Sequence, residues 1–83
     1  MKCEKKEKFF KLEFYRKKYG FTQEQIGKSI GLKPNNAASG YSHKVNRRSP
    51  LKYEEMIIIT ALLNKKAEKA GDPLLTLNDI FLN

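Results

Sequence analysis

Hydrophobic positions recur along this chain at helical spacing, and each run ends at a residue suited to stopping a helix. Phe9, Leu12, Arg16 and Tyr19 fall on one stripe, and Phe10, Phe14 and Tyr15 widen the apolar arc. That pattern predicts a first helix from about Lys5 to Tyr19, stopped by Gly20 and preceded by a charged lead-in at residues 1–8. Thr22 and Gln25 stand at capping-box spacing, with Phe21 and Ile26 placed as a hydrophobic staple around the cap. Ile26 and Ile30 share a face, so a second, short helix is expected over about Thr22–Ile30, with Gly31 closing it and Leu32 following as a buried plug. Ala37, Tyr41 and Val45 recur every four residues. They predict a third helix that begins near Pro34 to Asn36, ends near Val45 and has Asn46 as its C-terminal residue. Gly40 inside it costs about 1 kcal/mol relative to alanine, which leaves a loop over 35–43 as the competing reading.

Ser49 and Pro50 suit an N-cap and a first helical position, so a fourth helix is expected from about Pro50 to Ala70. Ile57-Ile58-Ile59-Thr60 alone could be a strand, but Met56, Ile59, Leu63 and Ala67 at helical spacing decide for helix. Gly71-Asp72-Pro73 breaks it. Thr76, paired with Asp79 as a cap, then opens a last turn of helix that returns Leu77, Ile80 and Phe81 to the core.

Charge changes the picture in one region. Between Glu24 and Glu54 there is no acidic residue, whereas Lys28, Lys33, Lys44, Arg47, Arg48 and Lys52 all lie there. A solvated surface ordinarily mixes both signs, so a long stretch of one sign suggests a polyanionic partner. The net charge of +8 agrees. The third helix carries Asn35, Asn36, Ser39, Ser42 and His43 opposite its apolar stripe, short hydrogen-bonding side chains of the kind that read base edges. Across the first eighteen positions, basic residues alternate with Glu4, Glu7 and Glu13, which reads as a solvated helix face with i,i+4 pairs.

Composition excludes several classes. The chain is too apolar for a disordered basic tail, and no apolar run reaches the roughly 18 residues of a spanning helix. Its charged start lacks the apolar stretch of a secretory leader, and Cys3, the only cysteine, has no internal disulfide partner. A reducing, cytoplasmic setting is expected. No metal or cofactor is expected, because His43 and Cys3 cannot form a ligand set. Glu54 and Glu55 are adjacent on a helix and point about 100° apart, so they are not a catalytic couple, and an enzyme is not expected.

Gly20-Phe21-Thr22-Gln23-Glu24-Gln25-Ile26-Gly27, followed by Ile30-Gly31-Leu32, resembles the lambda-repressor and Cro family of phage and bacterial DNA-binding proteins. Lys44-Val45-Asn46-Arg47-Arg48-Ser49-Pro50 and Leu77-Asn78-Asp79-Ile80-Phe81 are similar to the later segments of small Cro-type regulators, so the resemblance spans residues 9–82. It implies an all-α, compact five-helix domain over 1–83, with a helix-turn-helix at the second and third helices. The resemblance also implies that Gln23 contacts a DNA phosphate and that early residues of the third helix read bases in the major groove. The chain departs from the family at Gly27, where alanine is usual, and by about one extra helical turn before Lys44.

The resulting expectation is a transcriptional regulator of a phage or prophage type. It would occupy a double-stranded DNA operator in a bacterial cytoplasm, as a monomer or as a homodimer. Candidate base contacts are Lys33, Asn35, Asn36, Ser39, Ser42 and His43, and candidate phosphate contacts are Gln23, Lys28, Lys44, Asn46, Arg47 and Arg48. A second reading is an antirepressor-like modulator that pairs with another repressor protein, since Phe9, Phe10 and Phe14 exceed what one helix needs for its own core. General RNA binding is disfavoured, because the aromatics sit at helix-core spacing and not as a stacking platform.

Overall fold

The computed structural model describes residues 8–82 as five helices with no strand among them. They are α1 (Phe10–Lys18), α2 (Gln23–Ser29), α3 (Ala37–Val45), α4 (Tyr53–Ala70) and α5 (Leu77–Phe81). Leu12, Ile26, Tyr41, Ile59, Leu63 and Ile80 are the largest fully buried side chains, so every helix contributes to one core. No described helix is long and apolar enough to cross a membrane.

The capping box at Thr22 forms as its spacing predicts. The Thr22 hydroxyl accepts from the Gln25 N–H at 3.0 Å, and the Gln25 side chain accepts from the Thr22 N–H at 2.8 Å. The same reciprocal pair joins Thr76 and Asp79 at the start of α5. Ala37, Tyr41 and Val45 are all buried, so 37–45 is a helix with its apolar stripe inward. Its beginning is later than expected, since residues 34–36 form a turn and Asn36 is the N-cap.

Two boundaries move for identifiable reasons. The expected first helix began near Lys5. Residues 1–7 lie outside the described residues, and α1 starts at Phe10 because the Phe9 N–H is committed elsewhere, donating to the Val45 carbonyl at 2.9 Å. The Phe9 ring is buried and meets Phe81 edge-on at 5.6 Å, whereas Phe10 and Phe14 stand 47% and 60% exposed. The expected apolar arc is therefore narrower, and only Phe9 of the three phenylalanines belongs to the core. The fourth helix begins at Tyr53, not Pro50, and Ser49 is not its cap. The Glu55 carboxylate accepts the Lys52 N–H at 3.0 Å and so fixes the first turn three residues downstream, while Leu51 packs on the core.

A polar cluster joins α1 to α3. The Tyr41 hydroxyl donates to Glu13 Oε2 at 2.7 Å, and Arg16 grips both carboxylate oxygens of Glu13 at 3.0 and 2.9 Å. A further Arg16 N–H reaches the Phe21 carbonyl at 2.7 Å, so the arginine that shared the buried stripe has every reason to be there. Burial by itself would raise the Glu13 carboxyl, but the bonds from Arg16 and Tyr41 outweigh it and hold the group below the ordinary carboxylate range. Burial, followed by the bond to Glu13, pushes the Tyr41 phenol well above its usual value. The α4–α5 connection is tied by Asn64, whose amide both donates to the Leu75 carbonyl and accepts from the Leu75 N–H.

Candidate nucleic-acid interface

The unit formed by α2 and α3 begins from a backbone approach. A Cβ on Gly27 would meet the Ala37 carbonyl oxygen, with its carbon at 2.7 Å and the Ala37 Cα at 3.0 Å. No side chain can shift to relieve a clash with backbone, so α2 and α3 touch closely here only because residue 27 is glycine. Alanine, which would be the smallest replacement, does not fit. Between the helices, Gly31 takes a φ of +96° and the Leu32 N–H bonds back to the Gly27 carbonyl, which ends α2 and turns Leu32 inward. A Cβ on Gly40 would stand 2.8 Å from Leu32 Cδ1. The glycine inside α3 is thus the seat of the Leu32 side chain, and the propensity it costs is offset by that packing.

With one side of α3 seated in this way, the other side faces solvent. Asn36, Ser39, His43 and Asn46 are exposed and follow one another at three- and four-residue steps along that side, with Ser42 half-buried at its edge. Asn35 and Lys33 are exposed in the preceding turn. Among the described residues, the side chains of Lys33, Asn35, Asn36, His43 and Arg48 have no hydrogen-bonding or ion-pairing partner within the chain. Ser39 makes only a long bond of 3.4 Å to the Asn36 carbonyl. Asn46 is engaged locally, donating to the Ser42 carbonyl at 2.9 Å and the Ser42 hydroxyl at 3.3 Å.

The basic residues divide into two groups. Lys28 pairs with Glu24 at 3.2 Å on the open surface of α2, an i,i+4 contact that water screens. Lys44 is only 13% exposed, and its ammonium donates to Glu55 and to the Pro50 carbonyl, each at 3.0 Å. It is used within the fold, where it braces the turn between α3 and α4. Arg47 and Arg48 occupy that turn and are exposed. Arg47 has φ of +63°, the only left-handed non-glycine residue described. Its guanidinium lies 4.1 Å from the centre of the Phe9 ring. Gln23 is half-buried at the first position of α2.

Sequence reasoning identified the polar side of α3 but missed the inward commitment of Lys44 and the left-handed Arg47. The first had a signal, since Glu55 lies three residues after Lys52 at capping spacing and so brings a carboxylate to the turn. The second had none, because arginine carries no local preference for that conformation.

Comparison of the chain with protein-family models, with curated proteins and with solved structures found no match. The residues themselves therefore carry the functional reading.

Proposed function

We propose that the chain is a duplex-DNA-binding regulator in which α2 and α3 act as a helix-turn-helix, α3 entering the major groove. The observation that carries this reading is the outer side of α3. Asn36, Ser39 and His43 there are short or planar hydrogen-bonding groups, exposed, and nearly without partners in the protein. Base edges would supply those partners. Lys33, Arg47 and Arg48 flank that side without a neighbouring carboxylate partner, so phosphate contacts would fix its register. Lys44 acts at one remove, holding the turn that presents Arg47 and Arg48. Repression by operator occupancy follows if the bound site overlaps a promoter.

The test is an anisotropy titration with duplex DNA selected from a random pool. A protein contacting ~6–10 phosphates loses about 10³–10⁵ in affinity between 50 and 200 mM salt. A flat response to salt removes the reading.

One observation favours a second reading, a modulator that acts by binding another repressor. Phe10 and Phe14 lie one helical turn apart on α1 and are 47% and 60% exposed, more aromatic surface than a solvated helix needs. Loss of partner pull-down in Phe14→Ser with duplex affinity unchanged would favour it.

A further inference from the structure

A cleft of about 340 Å³ lies between the chain entering α2 and the C-terminal half of α4, lined by Phe21, Leu62, Lys65, Lys66, Glu68 and Lys69. Its floor is apolar, since Phe21 and Leu62 are half-buried and stay partly open to solvent. Its rim is basic. Three ammonium groups stand against one carboxylate, and none of the three lysines is ion-paired among the described residues. The Lys66 ammonium lies 5.8 Å from the centre of the Phe21 ring. The dipole of α4 favours cations near its C-terminus whatever they face. It does not account for an aromatic and a leucine left partly open to solvent between those cations.

We infer that this cleft takes a short acidic and apolar peptide segment of a partner protein. A leucine or phenylalanine of the segment covers Phe21 and Leu62, and flanking carboxylates meet Lys65, Lys66 and Lys69. Charge complementarity selects the acidic flanks, and the apolar floor selects a peptide over duplex DNA, which turns phosphates outward and keeps its bases stacked inside, away from Phe21 and Leu62. The volume falls within the usual range of ~300–1,000 Å³ for small binding sites. The inference is independent of the DNA-binding reading, since it uses none of the α3 residues.

The experiment is a fluorescence titration of the whole chain with two labelled peptides. One alternates Glu-Asp pairs with Leu-Phe, and the other carries alanine in place of Leu-Phe. Saturable binding of the first alone is expected, with amide shifts at Phe21 and Leu62 in NMR spectra. Lys65→Gln with Lys69→Gln should weaken that binding by about tenfold, roughly 1.4 kcal/mol. Glutamine matches lysine in helix propensity, so α4 keeps its thermal midpoint. Equal binding of the alanine peptide, or no effect of the two substitutions, overturns the inference. So does a loss of duplex-DNA affinity in that variant as large as its loss of peptide affinity, which would assign the lysines to a nucleic-acid surface. If neither protein binds duplex DNA while the Leu-Phe peptide still binds, the DNA reading falls and this one stands.

Discussion

Two turns of this molecule have the same backbone and opposite contents. The turn ending α2 bonds Gly31 N–H to the Lys28 carbonyl and Leu32 N–H to the Gly27 carbonyl. The turn ending α3 bonds Arg47 N–H to the Lys44 carbonyl and Arg48 N–H to the His43 carbonyl, with the same offsets. Gly20 and Gly71, also at positive φ, close α1 and α4 in the same manner. In three turns the left-handed residue is glycine, and in one it is arginine. An L-residue in that conformation costs about 1–2 kcal/mol. The α2 turn spends its following side chain on packing, with Leu32 against Gly40. The α3 turn keeps an arginine where glycine would be easier and stacks it over Phe9. The difference teaches that one joint is built for the fold and the other for its surface. Strain retained at an exposed cation agrees with the phosphate contact proposed for Arg47.

The largest effect expected in testing that contrast is at the packing joint. Gly27→Ala should cost about 3 kcal/mol, because the new methyl meets the Ala37 backbone and only helix separation relieves it. For a chain of this size that lowers the thermal midpoint by roughly 12–24 °C in a circular dichroism melt. An unchanged midpoint would mean that α2 and α3 are not held so closely.

Next come paired substitutions at the two left-handed positions. Gly31→Ala should lose about 1–2 kcal/mol of stability with its new strain. Arg47→Gly should recover strain of that order, less about 0.5–1 kcal/mol for the lost contact with Phe9. Glycine's greater freedom in the unfolded chain offsets a further ~0.4–1 kcal/mol, so the midpoint should stay close to its starting value, while duplex affinity falls and the salt slope declines by about 0.9. Equal affinity in Arg47→Gly would make the two turns alike and reduce Arg47 to a curiosity of packing.

The pH profile sharpens the same division, because the Glu13–Arg16–Tyr41 cluster fastens α3 from its buried side. The Glu13 carboxyl is lowered in the folded chain, so its stabilisation is full above the ordinary value of 4.5 and fades as pH drops below it. The Tyr41 phenol is raised from its ordinary 10.0, so its stabilisation is full below that value and fades as pH climbs above it. Denaturant midpoints across pH should therefore fall on both sides. Tyr41→Phe should cost about 1 kcal/mol for the lost hydrogen bond and flatten the alkaline side, whereas Arg47→Gly should leave both limbs in place. A profile unchanged by Tyr41→Phe would disconnect the cluster from stability.

The smallest effects on folding belong to the outer side of α3. Asn36→Ala, Ser39→Ala and His43→Ala should each shift stability by no more than about 0.5 kcal/mol. At least one should lose about 1–3 kcal/mol of discrimination at a particular base pair, read from affinities for the selected site and its single-base variants. Uniform weakening across all sites would place the base contacts elsewhere, with Lys33 and Asn35 the nearest exposed candidates.

The residues alone determined what depends on near neighbours. The caps at Thr22 and Thr76, the glycine ends of α1, α2 and α4, and the inward stripe of α3 were all legible, because each rests on groups three or four positions apart. The polar side of α3 was legible for the same reason. What the tertiary structure decided involves partners distant along the chain. Phe9 starts α1 late because its N–H is taken by Val45, and of the three phenylalanines only Phe9 meets Phe81 of α5, while Phe10 and Phe14 stay exposed. Gly27 is required by a carbonyl ten residues away, and Lys44 turns inward because the start of α4 delivers Glu55 beside it. Periodicity states which side of a helix is apolar, but only packing decides how much of that side the rest of the molecule can cover.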